Sequence, residues 1–224
     1  MVIWNNVNLR DKGIIVEKEP TISKGKKNID IIEVEGKSGF YTIDKGTYQS
    51  FLVSVECHFD PSNADIDDIK TFLDGVGTLS FDGNREYIAV IQNSISFEKI
   101  IRFKSFLIEF LCNPYCEDKN YTETTITSSP TTINIQDATF EMYPELEITA
   151  TGNISITFNN KTFNINDADG TYYLDSKLQV ITHNNLNAAS SMQYDFPKLQ
   201  PGENTISYIG NITNFKIKYK KAYL

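Results

Sequence analysis

The chain has 224 residues, 40% of them hydrophobic, and its 29 acidic and 21 basic side chains leave a formal net charge of −8. That length holds one large domain or two smaller ones, and the acidic balance argues against a phosphate-binding surface of the kind nucleic-acid binders need. The longest apolar run, "FLIEFLC" at 106–112, contains Glu109 and is too short to span a bilayer.

Taken in chain order, no apolar leader follows "MVIWNNVNL", because Arg10, Asp11 and Lys12 interrupt it; this predicts a protein made and folded in a cytoplasm. "NIDIIEVE" at 28–35 reads as a strand, "GKSG" at 36–39 as a tight turn and "FYTI" as the returning strand. "FLVSVECHF" at 51–59 alternates: Phe51, Val53, Val55, Cys57 and Phe59 share one face, and Ser54, Glu56 and His58 the other. "PSNADIDDIKTFLDG" at 61–75 changes period. Ser62 or Asn63 is placed to cap a helix, acidic residues fill its first turn, Ile66, Ile69, Phe72 and Leu73 form a stripe, and Gly75 ends it. Strands resume at "GTLSF" (77–81), turn at "DGN" (82–84), and continue through "EYIAVIQNSISF" and the long pattern from Ile100 to Cys112. There Phe106, Ile108, Phe110 and Cys112 share a face.

The stretch "EDKNYTETTITSSPTT" at 117–132 is polar and nearly free of large aliphatic residues, and the domain boundary is placed near residue 115. Beyond it the pattern is all strand and turn. A two-residue turn at Asn159-Asn160 sets Ile156 opposite Phe163 and Ile154 opposite Ile165. A second turn, at Gly210-Asn211, would set Ile206 opposite Phe215, with Lys216, Lys218 and Lys220 in solvent. The chain therefore reads as mainly β, in two domains: 1–115 with one helix, and 116–224 as a β-sandwich.

Motifs for chemistry are weak. "GKS" at 36–38 lacks the upstream glycine of a phosphate loop, since Ile31 stands there, and a strand follows it. "NDADGTYYLDS" at 166–176 fails two ligand positions of a calcium loop, with Ile165 first and Ser176 last. Cys57 and His58 are neighbours, but in a strand they point to opposite faces. Cys112 and Cys116 lack a second pair for zinc, and three cysteines make no disulfide framework, so buried free thiols are expected. Four N-x-[ST] matches, at Asn120, Asn153, Asn160 and Asn211, read as chance matches in an Asn-rich chain. The reading is no catalysis, no metal and no cofactor. Tyr172, Tyr173 and Tyr194 are candidate glycan-contact aromatics, with Tyr208 in the same half; core packing is the competing use of such residues.

The order of elements resembles one family. "NVNLRDKGIIVEK", "EVEGKSGFYTIDKGTYQSFLVSVECHF", "DDIKTFLDGVGTLSFDGNREYIAVIQNSISFEK" and "FLIEFLCNPYC" are similar to the N-terminal domain of siphophage-type distal tail proteins. Gly36 and Gly39, the run Asp44–Tyr48, the helix around Ile69–Leu73, Leu79–Phe81 and "CNPYC" fill the family's places; Lys37 and Ser38 stand where Arg-Asp is common. "YPELEITATGNISITFNNKTFNI", "YYLDSKLQVI" and "FPKLQPGENTISYIGNITNFKIKY" resemble its galectin-like or carbohydrate-module-like sandwich. The resemblance implies a structural virion protein at the distal end of the phage tail. It implies a homohexameric ring built by the N-terminal domains, partnered by the tail tube protein, a tail-associated hub protein and receptor-binding proteins. DNA and tape-measure protein would pass through the ring without specific binding, no membrane would be involved, and assembly would take place in a bacterial host's cytoplasm. The alternative is a carbohydrate-binding module for host cell-wall glycan.

Overall fold

The computed structural model describes residues 1–60, 65–95, 105–193 and 195–224. It is β-rich throughout and divides into two compact units, Met1–Cys116 with Leu224, and Glu117–Tyr223.

In the first unit, β1 (Ile3–Trp4), β2 (Val7–Asn8), a 3₁₀ turn (Leu9–Lys12) and β3 (Ile14–Val16) come first, followed by β4 (Lys27–Glu33), β5 (Phe40–Tyr48) and β6 (Phe51–Phe59). Helix α1 (Ile66–Phe72), β7 (Val76–Ser80), β8 (Arg85–Ile91) and β9 (Ser105–Asp118) complete it. The main sheet runs β2-β1-β7-β8-β9-β6-β3, which leaves β2 and β3 as its edges. The alternation read in 51–59 is realised: Val53, Val55 and Cys57 are buried on β6 against Ile108, Phe110 and Cys112 of β9, in antiparallel register. Trp4 closes this core. Its ring tilts onto Phe110 at 5.2 Å, and its indole N–H donates to the Phe72 carbonyl at the end of α1. Ile69 and Leu73 carry the helix's buried stripe. The helix cap differs from the sequence reading. Asp65 caps α1, its carboxylate accepting the Asp67 N–H, while Ser62 and Asn63 lie outside the described residues.

The second unit holds β10 (Thr122–Thr125), β11 (Thr131–Ile135), β12 (Glu145–Phe158), β13 (Lys161–Asp175), β14 (Val180–His183), β15 (Leu186–Asn187), β16 (Met192–Gln193), β17 (Gly202–Tyr219) and β18 (Ala222–Tyr223). β12, β13 and β17 are long and pair side by side, with β17 on one flank of β12 and β13 on the other. Each carries a positive-φ residue mid-strand: Gly152 (76°), Asp167 (51°) and Gly210 (112°). The register shifts beside Gly152. Such bulges bend a strand and let one sheet fold over itself. The two halves then share a core in which Phe158 meets Phe215 and Phe163.

Of the two expected hairpins, one forms. The Asn159-Asn160 hairpin forms in the expected register, Ile156 opposite Phe163 and Ile154 opposite Ile165. Gly210-Asn211, however, is no hairpin turn. β17 runs through it unbroken, Ile206 pairs with Phe158, and Phe215 pairs with Ile148. The long partner strand β12 offers a ladder to both halves of β17, which a tight hairpin would forfeit. In the polar stretch 117–132, Thr122, Thr124 and Thr125 lie in β10 and Thr131 and Thr132 open β11; these strands pair with opposite ends of β17. β-branched threonine suits such strands.

Candidate functional site

β4 and β5 form a two-stranded sheet of their own, separate from the main sheet. Their register sets Ile31 opposite Thr42 and Glu33 opposite Phe40 on one face, and Asp30 opposite Ile43 and Ile32 opposite Tyr41 on the other. Successive strand residues alternate faces, so both faces carry large apolar groups. Ile31 is 58% and Phe40 64% exposed, and Ile29, Ile32, Tyr41 and Ile43 are exposed with them. Ion pairs Lys27–Asp44 and Lys45–Asp30 tie the two strands together at the surface. A lone two-stranded hairpin is marginal in water, and an exposed apolar patch on this scale marks an interaction surface. We call this hairpin the arm. The sequence reading found its strands but not that both faces stay uncovered.

The second surface is the outer face of the second unit. Antiparallel register aligns Lys218, Glu145, Asp175 and Val180 in one cross-strand row, and Lys216, Glu147, Tyr173 and Thr182 in the next. These rows line a depression of about 290 Å³. Hydrogen bonds hold its carboxylates: Tyr121 Oη donates to Glu145 Oε1 at 2.7 Å, Asn214 Nδ2 to Glu147 Oε1 at 2.9 Å, and the Lys177 and Leu178 N–H groups to Asp175 Oδ1 at 2.9 Å. Glu123 lies 3.5 Å from Lys218 and 3.8 Å from Lys216. Burial, together with the bond to Glu145, pushes the Tyr121 phenol above its ordinary pKa.

The sequence-named tyrosines separate. Tyr173 stands on this outer face, 51% exposed. Tyr172 is 3% exposed, its ring stacked on His183 at 4.5 Å, so it is not presented at the surface. Tyr194 lies outside the described residues. Tyr208 is half-buried against Phe215. His183 Nδ1–H donates to the Thr171 carbonyl, and Asp169 stands 3.1 Å from Nε2. His58 faces Glu17 at 3.5 Å, on the side of β6 opposite buried Cys57. The three cysteines are free and buried. Burial pushes the Cys57 and Cys112 thiols up to about 12. Among the described residues no group of three or more His, Cys, Asp or Glu side chains is placed to hold a metal ion, and no helix is long and apolar enough to cross a membrane.

Two β-rich units, one with a single described helix and a free-standing hairpin, the other a sheet folded on itself, define a known architecture. The crystal structure of the SPP1 Dit (gp 19.1) protein, described as a paradigm of the hub adsorption apparatus in phages that infect Gram-positive bacteria, matches with a TM-score of 0.77. The match covers 100% of this chain and 98% of that one at 13% sequence identity, which establishes a shared fold. No protein-family model matches the chain, and no curated protein does.

Proposed function

We propose that this chain is a phage distal tail protein, a structural hub at the end of the tail rather than a catalyst. The supporting observation is the end-to-end fold likeness to a hub protein, spanning both units. In this reading, copies close into a hexameric ring through their N-terminal units, continuing the tail tube on one side and holding tip or baseplate proteins on the other. Closed rings bury their interfaces without leaving an open end. The arm supplies the contact between copies: its two apolar faces are exposed in the single chain, and among the described residues β2 and β3 are the edges of the main sheet that a neighbour could extend. The formal charge of −8 suits a conduit that DNA and tape-measure protein pass without sticking.

The full chain, measured by light scattering and negative-stain imaging, is expected to give closed rings of six times the 25.4 kDa chain mass. Open filaments or rings of another order would count against it.

A further inference from the structure

The outer face of the second unit carries features that ring-building does not use. Tyr173 lines the depression, 51% exposed, with Thr182 opposite it in register and Val180 in the adjoining row. Around it stand three carboxylates, Glu145, Glu147 and Asp175, and two ammonium groups, Lys216 and Lys218. The hydrogen bonds from Tyr121, Asn214 and the turn at 177–178 each engage one oxygen of a carboxylate, so the carboxylates are held in place with an oxygen left to accept.

We propose that this depression binds a neutral glycan, with a sugar ring lying on Tyr173 and its hydroxyls shared between the carboxylates and the lysines. The choice of ligand follows from charge and shape. An anionic chain would meet three carboxylates, and a cationic one would meet two lysines. A neutral polyol donates to the first and accepts from the second, and both kinds of bond are charge-assisted. The aromatic face takes the apolar C–H side of a pyranose, leaving the hydroxyl edge to the charged rows. A volume of about 290 Å³ lies at the small end of ligand sites and suits the end of a saccharide. Tyr172, next in sequence, takes no part because its ring faces the core.

The test does not depend on the hub reading. The full chain is run over an array of neutral hexose and N-acetylhexosamine oligosaccharides, with polyglycerol phosphate and oligolysine as charged controls. The wild-type chain should retain at least one neutral oligosaccharide and neither control. Tyr173→Ala should weaken that binding tenfold or more and Glu147→Gln several-fold, while Tyr173→Phe, which keeps the ring, retains it. Melting curves verify that the variants stay folded, as the exposure of Tyr173 leads one to expect. Retention of no neutral oligosaccharide, retention unchanged by Tyr173→Ala, or binding of a charged control instead would overturn the proposal. Ring formation by Tyr173→Ala, read on the same samples, keeps the two readings apart.

Discussion

Phe158 and Phe215 meet edge to face, ring centroids 6.3 Å apart, although they lie in opposite halves of the folded sheet. Phe158 pairs in register with Ile206, and Phe215 with Ile148. Their contact exists because the long strands bend between those two registers. Aromatic pairs of this geometry contribute about 0.5–1.5 kcal/mol beyond area burial.

The bend at Gly210 sets the first expectation. With φ at 112°, a Cβ there would lie 2.7 Å from the Asn153 carbonyl oxygen and 2.9 Å from Ile154 Cγ2. Both the backbone conformation and the contact with main-chain atoms oppose any side chain. Gly210→Ala should cost about 2–4 kcal/mol, read as a lowered melting transition with loss of hydrogen-exchange protection in 145–219. A melting curve within a degree of wild type would contradict the account of the bend.

The arm gives the second. Ile31→Asp and Phe40→Asp fall on exposed positions of a hairpin that pairs with no other strand among the described residues, so chain stability should change by less than about 0.5 kcal/mol. Covering each such side chain in an assembly is worth about 1 kcal/mol. Repeated around a ring, its replacement by a charge should abolish assembly. Sedimentation of the variants should show folded monomers; rings of wild-type stability would remove the arm from the interface.

These two regions differ in how they read from sequence. Asn159-Asn160 and Gly210-Asn211 carry the same local signal, a two-residue turn between matched apolar faces. Only the first is a turn, because the second sits opposite the middle of β12, and that partner is remote in sequence. The threonines of 117–132 sit in a polar stretch without an apolar face, and they form strands by pairing with β17, which is remote in sequence. "NIDIIEVE" places apolar groups on both faces, the pattern of a strand covered on two sides, and nothing local says that the cover is missing from the single chain. Tyr172 and Tyr173 must face opposite ways as strand neighbours; which one faces out is decided by packing against Ile148 and His183, and that is not written in the motif.

Third, the thiols set a pH dependence. Burial raises Cys57 and Cys112 from 9.0 to about 12, so the folded protein keeps them protonated where the unfolded chain ionises. Their contribution is fully present below pH 9 and is lost as pH rises from there towards 12, at a limiting slope on the order of 1 kcal/mol per pH unit for each thiol. Urea unfolding across that range should show a shallower alkaline decline for Cys57→Ala/Cys112→Ala than for wild type, and native protein at pH 8 should resist thiol alkylation until denatured. Equal slopes, or rapid labelling of the native chain, would contradict the burial.

The central claim is position in a virion. Gold-labelled antibodies against this chain, imaged on intact tails, test it most directly. The account predicts label at the junction of tail tube and tip, and label along the tube or on the capsid would contradict it.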